Sequence, residues 1–190
     1  MNENNIDAPA DPFGLANLGD LSAIFARYWL SLPKTDLIPR KRDFRPEHIP
    51  EILPCMVIHE LIRPDFIKLR LAGTSVVESY DQEITGKNYL DFVEEARRPK
   101  ASEATFLVCE HPAGMVVQLQ STTKSGMLLS RESIAFPMRD DDGEPRFVYF
   151  CSSPAAERKF TGQQRDELQV MTVMNRSYID IGAGVPDFSD

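Results

Sequence analysis

The sequence has little of several things, and each shortage excludes something. Three Cys and three His stand among 190 residues, too few for a disulfide framework or a metal cage. An odd cysteine number fits a reducing compartment. Cys55, Cys109 and Cys151 fall on separate elements and read as small apolar core residues. No apolar run approaches the roughly 20 residues that a membrane-spanning helix needs. The opening MNENNIDAPADPFG has no basic stretch followed by an apolar one, so no secretory signal is read there. Together these features imply a cytoplasmic protein. Positive charge is also short: 21 Lys and Arg against 29 Asp and Glu give a formal charge of -8. Duplex nucleic acid and anionic membrane need a basic face, so neither is expected as the main partner. Catalytic signatures are missing too. There is no GxSxG elbow, no Walker lysine loop, no GxGxxG, no CxxC and no HExxH. The chain is expected not to be an enzyme, with no catalytic residue and no metal site to name.

What is present is an ordinary globular composition, 42% hydrophobic and 26% charged, in a length that allows about one domain. Residues 1–19 and 182–190 mix Asn, Asp, Pro and Gly and read as flexible arms. Leu21–Leu32 lies between Asp20, a candidate N-cap, and Pro33. Its Leu21, Ile24, Phe25, Tyr28 and Leu32 recur at helical spacing. A proline-rich connector follows, with room for one short helix opening at Pro46. Residues 20–53 thus form an N-terminal helical extension. From Cys55 the period changes to that of strands. CMVIHELI and FIKLRLAG, joined by Arg63-Pro64-Asp65, predict a hairpin. Short helices follow, with Thr74 as a cap and Gly86 as a break, then a longer helix from near Lys100 to Cys109. Three more strands end the core, the last two joined by Asp140-Asp141-Asp142-Gly143, a strong hairpin signal. Residues 54–159 make this core. Residues 160–181 open with a capping-box pattern at Thr161–Gln164 and carry Leu168, Val170, Met171, Met174, Tyr178 and Ile181, which predicts a C-terminal helix. Strands in runs with helices between them define an α+β class.

Arg70-Leu71-Ala72-Gly73-Thr74 followed by Ile84-Thr85-Gly86-Lys87, within this element order, resembles a bacterial PAS subfamily common in alphaproteobacteria. The resemblance spans roughly Leu32 to Lys159. It implies a five-stranded antiparallel sheet with short helices on one face, and a sensory or adaptor module that acts through protein–protein interaction. The implied partners are signalling proteins such as kinases or other regulators, with a small molecule or a second copy of the chain as further partners. The flavin-photoreceptor version needs a reactive cysteine in a short helix, and ESYDQEITGKNYLDF has none. Haem-binding members ligate iron through a His near the end of the long helix, which points to His111. No cofactor is the leading expectation, and haem is kept as the alternative.

Three groups of candidate residues follow. A pocket under the long helix would be lined by Leu69, Leu71, Val76, Tyr80, Phe92, Phe106, Val117, Leu119, Ile134, Phe136 and Tyr149, residues that serve a filled core equally well. The basic connector Arg40, Lys41, Arg42 and Arg45 could pair with an acidic partner. The apolar stripe of the expected final helix, with Met171, Met174 and Tyr178, could bury itself against a second molecule.

Overall fold

The N-terminal helix packs on the sheet through a face that includes the expected Phe25 and Leu32 and is widened by smaller residues. In the computed structural model, which describes residues 13–14, 18–80, 82–123, 128–153 and 168–190, α1 spans Asp20–Ser31 with Gly19 as N-cap. Its fully buried stripe is Ser22, Ala23, Phe25, Ala26 and Trp29, with Leu21, Ile24 and Tyr28 partly buried against the same core. The reason is size matching. Small Ser22 and Ala26 let the helix approach the sheet, and Trp29 then stacks on Phe136 with ring centroids 4.6 Å apart. The indole Nε1–H donates to the Pro137 carbonyl at 3.1 Å, so the buried polar tip is satisfied.

The connector forms a small hairpin, β1 (Lys34–Thr35) with β2 (Ile38–Pro39). Asp36 and Leu37 turn it with φ of 46° and 69°, as a two-residue primed turn requires. Single turns of 3-10 helix follow at Lys41–Asp43 and Pro46–His48, with a longer one at Pro50–Cys55. The one short helix read from sequence is therefore split. Pro46, Pro50 and Pro54 remove a donor every fourth residue, and no α-helix propagates through that spacing.

The sheet contains β3 (Met56–Arg63), β4 (Phe66–Ala72), β5 (Ala113–Thr123), β6 (Leu128–Arg139), β7 (Pro145–Ser153) and β8 (Leu168–Asp180). Their order is β4-β3-β7-β6-β5-β8, antiparallel throughout. Between β4 and β5 run α2 (Thr74–Tyr80), 3-10 turns at Tyr89–Phe92 and Glu95–Arg97, and α3 (Arg98–Glu110). The first five strands are the α+β core that the sequence implied.

The expected C-terminal helix is a strand. β8 pairs with β5 from Ala113↔Asp180 to Thr123↔Leu168 and covers what would otherwise be an open edge. A register shift between Gln118 and Leu119 leaves Met174 as an extra residue. Val173, Arg176 and Tyr178 then lie opposite Leu119, Val117 and Met115, spaced by three and then two. Thr161–Gln164 and most of the arm 1–19 lie outside the described residues. The segment 182–190, read as a flexible tail, is placed against the core: Phe188 meets the Tyr178 ring at 5.8 Å.

The sheet is covered on both faces. On one, Phe25, Trp29, Ile52, Phe136, Met138 and Tyr149 form a core under α1. On the other, Val57, Leu69, Val76, Val108, Val117 and Phe150 pack beneath α2 and α3. Gly73 sits where β4 turns into α2, and a Cβ there would lie 2.4 Å from the carbonyl oxygens of Leu53 and Pro54. Both are backbone atoms and cannot swing away. Gly73→Ala should therefore destabilise the protein by about 1–3 kcal/mol, read as a lower urea midpoint with an unchanged m-value.

Candidate functional site: a cavity between the sheet and the helices

The second face is incompletely filled. A cavity of about 90 Å³ lies between the sheet and the helices α2 and α3. Leu69, Val76, Tyr80, Val117 and Leu119, all read from sequence as pocket residues, line it. The other candidates do not, for reasons of parity. Leu71 pairs with Ile58 while Leu69 pairs with His59, so Arg70 is an extra residue and Leu71 turns outward, 43% exposed. Val117 pairs with Ser133 and Phe136 pairs with Tyr149. Ile134, Phe136 and Tyr149 therefore occupy the opposite face, under α1. Phe92 lines a smaller neighbouring recess, and Phe106 lines an outer groove with Pro64 and Asn88.

Sequence reasoning missed the polar lining: His59, Tyr89, Thr105, Arg131, Ser133, Ser152 and Arg176. One signal was available for His59, because Val57, His59 and Leu61 alternate on one face of β3 and all three are buried. His59 is 5% exposed and lies between the rings of Tyr89 and Phe150, at 4.6 and 4.5 Å. Its Nδ1 has no hydrogen-bond partner. Burial pushes its pKa down to about 3, so the imidazole is neutral at ordinary pH. Burial likewise pushes the Tyr80 and Tyr89 phenols up, and they stay protonated. Arg131 donates from Nη2 to the Ser79 hydroxyl, and desolvation lowers its pKa from a very high ordinary value. Arg176 has a side chain only 5% exposed. Its Nη1 lies 2.6 Å from Asp190 Oδ1, while its Nε is buried without an acceptor.

The basic connector finds its acidic partner inside the molecule. Lys41 Nζ lies 2.8 Å from Asp141 Oδ2, in the β6–β7 turn. The Arg40 guanidinium donates to the Asp141 carbonyl at 3.4 Å and covers Gly143. Arg42 and Arg45 are exposed. Of the expected apolar stripe, Tyr178 is turned inward and its hydroxyl donates to the Ala104 carbonyl at 2.9 Å. Burial pushes that phenol up to about 12. Met174 is 60% exposed at the bulge. The Met171 side chain lies outside the described ones.

Neither cofactor type fits this cavity as it is folded. His111 caps the end of α3 and is not part of the lining, and neither is any of the three cysteines. The space is also smaller than the roughly 150 Å³ that admits benzene. Among the described residues, no group of three or more His, Cys, Asp and Glu is arranged to hold a metal ion. No described helix is long and apolar enough to cross a membrane.

A six-stranded antiparallel sheet with short helices across one face, and a small cavity under them, is an α+β arrangement in which β3 to β7 make the core and β8 is added at one edge. The PAS domain model matches residues 20–150. The chain belongs to the PAS domain family, a family of signal-sensing and signal-transduction modules. Among solved structures it is similar to a light-oxygen-voltage domain studied with a flavin analogue, at 18% identity, covering 58% of this chain and 84% of that one with a TM-score of 0.44. The light-oxygen-voltage protein of Rhodobacter sphaeroides is 10% identical over 61% of this chain and 71% of its own, with a TM-score of 0.42. VqmA of Vibrio cholerae, in a complex with ligand and DNA, is 15% identical over 58% and 51%, with a TM-score of 0.43. No curated protein matches the chain.

The buried histidine gives a pH dependence with a definite sign. Its pKa in the folded state lies below the unfolded value of 6.5, so the unfolded chain binds the proton first. The stability associated with a neutral His59 is complete above pH 6.5 and is lost as pH falls toward about 3. The slope attributable to this residue is about 1.4 kcal/mol per pH unit at most. Urea unfolding at a series of pH values should show it, and His59→Leu should flatten that part of the profile.

Proposed function

We propose that the protein is a non-enzymatic PAS sensor or adaptor of the bacterial subfamily carrying the Arg70–Thr74 and Ile84–Lys87 motifs. It binds a small molecule in the cavity and acts in the cytoplasm on a separate signalling protein, such as a kinase or another regulator. The observation that carries this reading is the cavity itself. Polar groups converge on an apolar space, and two of them, His59 Nδ1 and Arg176 Nε, are buried with no partner. Unpaired buried donors and acceptors cost about 1–3 kcal/mol each, a cost that a ligand supplying the missing partners would offset. Such arrangements mark binding sites more often than filled cores do.

The output would pass through the elements around the cavity, because a ligand shifts an equilibrium only by its difference in affinity for two states. A homodimer or a partner contact would use the outer edge of β8, which has no strand beside it among the described residues. Exposed Met174 and Val185 lie on β8 and the segment after it.

Thermal unfolding against a panel of metabolites of about three to five non-hydrogen atoms tests the reading. A ligand at a hundredfold excess over its Kd should stabilise the wild type by about 2.7 kcal/mol. Val117→Phe, which places a ring in the cavity, should abolish that gain while keeping the fold. If no compound in the panel distinguishes the two proteins, and Val117→Phe regulates its signalling partner as the wild type does, ligand sensing is removed from the account.

A further inference from the structure

We propose that the cavity takes a small monocarboxylate held on Arg176, and that Asp190 competes with this ligand for the same guanidinium. The proposal rests on the sensory reading above and deepens it by naming the ligand class and the segment that responds.

Charge is the first ground. Arg131 and Arg176 line the cavity, while no Asp or Glu does among the described residues. The remaining polar lining is neutral: a deprotonated imidazole at His59, protonated phenols at Tyr80 and Tyr89, and the hydroxyls of Thr105, Ser133 and Ser152. A guanidinium cannot shed its proton in a protein, so its charge requires acceptors. Arg131 has a neutral serine hydroxyl. Among the described residues Arg176 is paired through Nη1, and its buried Nε–H has no acceptor. A carboxylate would supply the missing acceptor and the missing charge together. Size is the second ground. At about 90 Å³ the space suits a ligand smaller than benzene, of about three to five non-hydrogen atoms.

The third ground is the position of Asp190. It lines a recess with Arg97 and Lys100 whose wall shares Tyr89, Leu119, Val173 and Arg176 with the cavity. Phe188 anchors the same segment, with Lys100 Nζ 4.6 Å and the Arg176 guanidinium 5.2 Å from its ring centroid. Arg176 thus stands in the partition, bound by a carboxylate on one side and unbound on the other. Two carboxylates sharing one guanidinium weaken each other, and the coupling is reciprocal. Ligand entry therefore loosens the segment 182–190, and release of that segment is the signal passed on.

The test is a titration of the full chain with propionate and, separately, with its neutral isostere propionamide, followed by nitrogen–proton NMR. Propionate should shift the Arg176 Nε–H resonance saturably and move the amides of Gly184 and Phe188 toward unstructured positions. Propionamide should do neither. Arg176→Gln should abolish the response, and Arg131→Gln should weaken it. Asp190→Asn, and separately a chain lacking residues 187–190, should bind propionate about fivefold or more tightly. Equal binding of the two compounds would overturn recognition of a carboxylate while leaving the sensory reading intact. Propionate binding that is unchanged in both tail variants would overturn the competition. No saturable response of any cavity resonance to either compound would overturn the proposal, leaving the sensory reading to the wider metabolite panel.

Discussion

The pairing of β8 along β5 is the interaction on which the rest of the site depends. It covers the outer edge of β5 and makes β8 itself the edge strand of the sheet. It also carries Val173 and Arg176 into the wall of the cavity, opposite Leu119 and Val117. Without this strand the pocket would lose one side and one of its two cations. The bulge at Met174 sets which residues turn inward, so a single extra residue decides that a charge, and not a neighbouring asparagine or serine, enters the interior.

The two faces of the sheet are packed to different standards. Under α1 the aromatic rings of Phe25, Trp29 and Phe136 fit together, and the indole has its acceptor. That face supplies stability. The face under α2 and α3 keeps an empty space with His59 Nδ1 and Arg176 Nε unmet beside it, whereas the unpartnered Ser22 hydroxyl under α1 borders no such cavity lining. Proteins concentrate such costs at functional sites and offset them elsewhere. The proline-rich connector serves the stable face. Two of its basic residues, Arg40 and Lys41, hold the β6–β7 turn through Asp141, which accounts for half of the cationic cluster.

Much of the fold was legible because its signals are local. The hairpin at Arg63-Pro64-Asp65, the Asp140–Gly143 turn, the order of strands and helices, and the family resemblance all come from short contiguous stretches. The site was less legible because it depends on register. Leu69 and Val117 share the cavity face, a position that follows from alternation within their own strands. Leu71, Phe136 and Tyr149 went to the wrong face because a bulge at Arg70 and the offset between β5 and β6 are set by pairing across strands. Arg131 and Arg176 were invisible for a further reason. Charged residues in strands are read as solvated, and only the tertiary structure shows them inside. The final segment was misread because Met171, Met174, Tyr178 and Ile181 are spaced by three, four and three, which matches a helix. The pairing with β5 that makes it a strand is set by distant residues.

The central claim is that residues 168–180 form the strand that walls the cavity, and proton–proton NOEs test it most directly. The account predicts cross-strand contacts between β5 and β8 at Met115–Tyr178, Val116–Ser177 and Val117–Arg176. Contacts from each residue to the one three positions on, running through 168–180 with no cross-strand contacts to β5, would show a helix there and contradict the account.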